Sequence, residues 1–111
     1  MKSIMDFINE SSNKDKWFRF IFKDFDDSNS IIKSIMSKAY NLGIYSEEID
    51  GGVKVRITDK NFEKGYDLLE VIVDYVNMHM NDTGKEHAVQ SLQSVLGDMQ
   101  DFIEDLDNDK E

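Results

Sequence analysis

Apolar side chains between Asp59 and Met80 recur at steps of four and three. Phe62, Tyr66, Leu69, Val73, Val76 and Met80 form one row, the spacing that places residues on one side of a helix. A second apolar row, Leu68, Ile72 and Tyr75, begins one residue earlier. Only Glu63, Asp67, Glu70, Asp74, Asn77 and Asn81 are left to water. The pattern predicts a central helix packed by neighbours on more than one side. The same spacing returns in Ala88, Leu92, Val95, Met99, Phe102 and Leu106, which predicts a last helix running to about Leu106. Thr83 and Glu86 have the spacing of a capping box at its start. The connector Asn81-Asp82-Thr83-Gly84 is short, so the two helices are expected as antiparallel neighbours. Asp107 to Glu111 is charged and expected to fray.

Upstream, Lys2 to Glu10 fits a short helix with Ile4, Met5, Phe7 and Ile8 inward, broken by Ser11-Ser12-Asn13. Trp17-Phe18-Arg19-Phe20-Ile21-Phe22-Lys23 fits two descriptions. As a strand it puts Phe18, Phe20 and Phe22 on one face; as a helix it sets Trp17 and Ile21 beside Phe18, Phe22 and Phe25, capped by Asn13 or Asp15. Both make it core. Asp24 to Asn29 reads as a turn, with Ser28 or Ser30 capping a helix through Ile31, Ile32, Ile35, Met36, Ala39 and Leu42. Gly43 stands where a left-handed residue ends a helix. Ile44 to Thr58 reads as a hairpin around Asp50-Gly51-Gly52, with Ile49 facing Val53 and Tyr45 facing Ile57. Val53 to Ile57 is its better-defined strand; Ser46-Glu47-Glu48 also fits a helical turn. The expectation is one domain, residues 1–111, mainly α with a small β element and on the border of α+β. Its two long C-terminal helices form an antiparallel pair, preceded by a small β-hairpin.

Composition adds a charge asymmetry. Residues 1–58 carry nine acids and nine bases, whereas residues 59–111 carry fourteen acids and four bases, which is the whole net charge of −10. An acidic half disfavours phosphate backbones and anionic lipid and favours basic protein surfaces. With 111 residues a modest core needs no staples. There is no cysteine and no proline, which fits a reducing compartment and long helices. No signal-peptide pattern and no membrane-length apolar run occurs. The expectation is a soluble cytoplasmic protein without a membrane or direct nucleic-acid partner.

The acidic rows are the one constellation with geometry. Glu63, Asp67, Glu70 and Asp74 follow the apolar row of their helix by one residue, while Asp98, Asp101 and Asp105 precede theirs by one. In an antiparallel pair those offsets put two separate stripes on opposite flanks. Carboxylates one helical turn apart, about 5 Å, each accept hydrogen bonds from an Arg or Lys across an interface. Inward Glu-x-x-His motifs of di-metal bundles are absent. His79 reads as a partly buried spacer and His87 as an exposed first-turn residue. No nucleophile elbow or phosphate-cradling loop is present, and Gly51-Gly52 is better read as a turn. No catalytic residue, metal ligand or cofactor is expected.

In size, acidity and lack of an enzyme site the chain resembles the immunity proteins of bacterial toxin systems, including contact-dependent growth inhibition. That resemblance implies a stoichiometric inhibitor of one cognate toxin domain and carries no residue motif. Its basic partner is expected to be a nuclease, whose phosphate-binding Lys and Arg an acidic protein can cover. A DNA mimic that blocks a DNA-binding protein is the alternative. A local resemblance covers residues 3–49. Phe7, Asp15, Phe18, Ile31-Ile32, Ala39, Gly43-Ile44 and Ser46-Glu47-Glu48 are similar to the Nif11 leader domain, with Gly51-Gly52 near the place of its cleavage site. Such a leader implies a short released peptide rich in Cys, Ser or Thr, and residues 53–111 depart from that.

Overall fold

The computed structural model describes residues 15–109; the expected N-terminal helix, residues 2–10, lies outside them. In chain order the elements are β1 (Asp15–Ile21), α1 (Ser28–Asn41), β2 (Tyr45–Ile49), β3 (Gly52–Thr58), α2 (Phe62–Met78) and α3 (Glu86–Asp109). The three strands form one antiparallel sheet in the order β1-β3-β2, and the chain is α+β.

Alternation decides the stretch around Trp17 in favour of a strand. Phe18 and Phe20 lie opposite Val55 and Val53, and all four are buried. With Ile57 they form the inner face of the sheet, which the helices cover. Helix α1 packs on β2 and β3, α3 on β1, and α2 against α1, α3 and β3. The Phe18 ring meets Phe102 of α3 at 5.7 Å, so sheet and helices share a single core.

The hairpin register differs from the expectation by one residue. Ile49 pairs with Gly52 and Tyr45 with Arg56, leaving Asp50-Gly51 as the loop. Gly51 takes φ 76°, a conformation glycine reaches without steric penalty. Gly52 belongs to the strand, not to the loop. Because side chains alternate, the one-residue slip moves Tyr45, Glu47 and Ile49 to the outer face of the sheet. Ser46 to Glu48 is strand, not helical turn.

Helix α1 ends as the sequence predicts. Gly43 has φ 76°; its N–H donates to the Tyr40 carbonyl at 3.1 Å and the Ile44 N–H to the Ala39 carbonyl at 2.8 Å. These two bonds make a Schellman motif and satisfy carbonyls the helix leaves unpaired. Its start differs: Asp27, not a serine, holds the N-cap position and makes no side-chain cap bond. At α3 the expected capping box does not form, because Glu86 opens the helix rather than standing in its third position.

Helix α2 is rotated from the expected orientation. Its buried residues are Phe62, Gly65, Leu68, Leu69, Ile72 and Val76, whereas Tyr66, Val73 and Met80 are exposed. Gly65 accounts for the rotation. A Cβ there would lie 2.6 Å from Ile103 Cδ1 and 3.4 Å from Ile57 Cδ1, so the bare backbone lets α2 approach α3 and β3 together. The buried line of α3 is Val89, Leu92, Leu96, Met99, Ile103 and Leu106, with Ala88, Val95 and Phe102 at its margin.

Candidate protein-binding surfaces

Two surfaces lie outside the core. The first is the solvent side of the helical layer. Glu63, Asp67, Glu70 and Asp74 on α2 and Asp98, Asp101 and Asp105 on α3 are all exposed. Asp67 stands about a third of a turn, and Glu70 about half a turn, from the Leu68–Ile72 line that anchors α2. Asn61 fixes the start of this helix on the sheet: its Oδ1 accepts from the Thr58 N–H at 2.8 Å, and its Nδ2 donates to the Arg56 carbonyl at 3.3 Å. The acids of α3 also set the electrostatics of a neighbour. Partial desolvation at the exposed margin, reinforced by the charges of Asp107 and Glu104, raises the pKa of the Tyr66 phenol.

The second surface is the outer face of the sheet, opposite the helices. The register aligns three rows across β1, β3 and β2: Trp17–Arg56–Tyr45, Arg19–Lys54–Glu47 and Ile21–Gly52–Ile49. Trp17 and Tyr45 are 37% and 57% exposed and meet edge-on at 5.8 Å. Lys54 Nζ lies 4.5 Å from the centre of the Trp17 ring and 3.3 Å from Glu47 Oε1. The Tyr45 hydroxyl donates to Glu47 Oε2 at 2.7 Å. That bond, with the Lys54 ammonium behind it, lowers the pKa of the Glu47 carboxyl; the same bond and the Glu47 charge raise that of the Tyr45 phenol. Arg56 Nε donates to Asp15 Oδ2 at 2.9 Å. Arg19 makes no hydrogen bond or ion pair with another described residue, and it stands directly opposite Lys54, a like-charge pairing that costs stability.

No family model, curated protein or solved structure matches this chain.

The sequence pattern identifies the acidic rows and misses the outer sheet face. Strand and helix alike make Trp17–Lys23 core, yet only its even-numbered residues are buried. Arg19 and Lys23, two residues apart from Trp17 and Ile21, mark the wet side of the alternation. Tyr45 escapes notice because the expected hairpin register turns it inward.

His79 is a partly buried packing residue. Its ring stacks on Phe25 with centroids 4.4 Å apart. Nδ1 lies 2.7 Å from Asp82 Oδ2, and Nε2 lies 3.3 Å from Asp27 Oδ1 without hydrogen-bond alignment. The Lys85 ammonium donates to the Asp24 carbonyl, so these contacts pin the β1–α1 loop to the α2–α3 connector. His87 is exposed on the first turn of α3. Among the described residues no helix is long and apolar enough to cross a membrane.

Proposed function

We propose that the chain is a non-catalytic cytoplasmic inhibitor that masks the basic surface of a cognate toxin domain, a nuclease, in the manner of immunity proteins. The observation that carries this reading is the α2 row. Asp67, Glu70 and Asp74, with Glu63 at the head of the helix, are exposed on a support anchored by Leu68 and Ile72, both fully buried. Carboxylates on a rigid helix lose little freedom when Arg and Lys of a partner dock on them. A nuclease that grips phosphates with cations presents the complementary surface. The reading takes α2 and α3 as an antiparallel pair. Gly65 against Ile103 and a groove lined by Leu69, Val76, Gln93 and Leu96 support that arrangement.

The test is capture with the purified protein, identification of what is bound, and assay of that protein's nuclease activity. Asp67→Lys with Glu70→Lys is expected to abolish inhibition and protection of cells. Asp101→Lys with Asp105→Lys, nearer the chain end, is expected to weaken both less. Each reversal changes charge by two units, so both double variants move from −10 to −6 and differ only in position. Equal losses would leave bulk charge as the determinant. A larger loss from the α3 variant would move the contact to Asp98, Asp101 and Asp105, and a captured protein without a basic surface would overturn the proposal.

A further inference from the structure

The outer face of the sheet matches itself. Across β3, aromatic Trp17 has aromatic Tyr45 as its counterpart, cationic Arg19 has anionic Glu47, and Ile21 has Ile49. A two-fold axis running over β3 at about 15° to the strands, half the rotation of about 30° usual between packed sheets, would lay β1 of one copy over β2 of another at the same level. Each Trp17 would then meet the partner's Tyr45, each Arg19 the partner's Glu47 and each Ile21 the partner's Ile49, every contact occurring twice, as an isologous interface requires. We propose that this face is a homodimer interface, closed sheet on sheet into a four-layer α/β/β/α assembly.

Three features of the face agree with this occupant. Lys54 and Arg56, which would lie close to their own copies near the axis, already carry partners: Glu47 and the Trp17 ring for one, Asp15 for the other. Gly52 adds no side chain there. Arg19, opposed by Lys54 and without a partner among the described residues, gains a carboxylate in such a dimer. Sheets packed face to face are about 10 Å apart and rotated by about 30°, so overlap is best in the central row, the one that holds Arg19 and Glu47.

The charge distribution points the same way. Two chains of net charge −10 repel, and least so if they meet on this face. It holds Arg19, Lys54 and Arg56 against Asp15 and Glu47, while the acidic rows of α2 and α3 lie across the sheet. In a back-to-back dimer those rows are outermost, separated by more than the Debye length of about 8 Å at physiological salt. Single-stranded nucleic acid fits the face less well, because stacking needs an open ring and Trp17 is covered by Lys54 and edged by Tyr45.

Trp17 is the sole tryptophan, so its emission reports on this face alone. Sedimentation of the full chain is expected to show a dimer whose formation shifts Trp17 emission to the blue as concentration rises. Arg19→Glu and Glu47→Arg, each folded by circular dichroism, are each expected to raise the dimer dissociation constant at least about tenfold, since each sets like charges face to face. Mixed one to one, the two variants are expected to form a heterodimer. The carboxylate introduced by Arg19→Glu in one chain then meets the native Glu47 position of the other, where Glu47→Arg has placed a guanidinium. A monomer at every concentration overturns the proposal. So does a dimer indifferent to both reversals, a mixture that stays monomeric, or Trp17 emission that answers oligo(dT) instead of protein concentration.

Discussion

Two glycines in the sheet and helices carry opposite obligations. A Cβ at Gly52 would fall 2.2 Å from the Phe20 carbonyl oxygen and 3.0 Å from Ile21 Cα, so backbone, not a yielding side-chain tip, stands in its way. Gly52→Ala is expected to force β1 from β3 and to cost at least about 1–3 kcal/mol, measured by denaturant unfolding. Gly97 lies in α3, and a Cβ placed on it would meet nothing within 4 Å. Gly97→Ala is therefore expected to stabilise by about 0.5–1 kcal/mol. Tyr45 shapes the titration of a neighbouring carboxyl. Its hydroxyl is the chief reason the Glu47 pKa is lowered. A carboxyl held lower in the fold than in the unfolded chain supports stability above its unfolded pKa, and loses that support as pH falls through the folded value. Tyr45→Phe is therefore expected to shift the Glu47 titration toward the ordinary glutamate range, where carbon-detected NMR reads it directly. A titration unchanged by the loss of the hydroxyl would place the cause in Lys54.

Helix α2 shows how far a row of apolar letters can be trusted. Leu69, Val76 and Phe62 are legible as core, and so is the second row through Leu68 and Ile72. Tyr66, Val73 and Met80 read inward because they are apolar, and they lie at the exposed margin. Glycine has no hydrophobic mark, so Gly65 does not enter the pattern, although close backbone approach there sets the rotation of the helix. The acidic row remains visible because it stands far from either version of the buried line. The strand β1 is half legible: the alternation of Phe18, Phe20 and Phe22 is present, but choosing it over a helix needs Val53 and Val55 as neighbours across the sheet. The hairpin slip has a similar origin, since nothing in a Gly-Gly pair says which glycine turns. The observed rotation makes its own prediction. Ile72→Asp puts an unpaired charge at a site with 0% exposure and is expected to cost several kcal/mol. Val73→Asp, at a site 37% exposed, is expected to cost far less. Thermal unfolding of the two variants measures the rotation, and equal melting temperatures would favour the orientation that the apolar row alone suggests.

For the whole molecule, the segregation of charge implies a tension between stability and recognition. All of the net −10 belongs to residues 59–111, largely on α2 and α3, and the exposed rows set carboxylates beside one another along each helix. Glu70 is the clearest case, with Asp67 three residues before it and Asp74 four residues after it. Like charges at those spacings destabilise a helix by about 0.2–0.5 kcal/mol per pair, and opposite charges stabilise it by similar amounts. Glu70→Lys converts both repulsions into attractions, so it is expected to raise the melting temperature at low ionic strength. Salt should narrow the difference, because screening shortens from a range of about 30 Å at 0.01 M to about 8 Å at 0.15 M. If the row contacts a basic partner, the same substitution is expected to slow association, as removing a steering charge does. A variant more stable yet slower to bind would mean that the repulsion on α2 is maintained for recognition, as at other sites where function is kept at the expense of stability. A variant more stable and equally fast would place the contact elsewhere on the molecule, and one less stable at low salt would show that Glu70 has attractive partners outweighing Asp67 and Asp74.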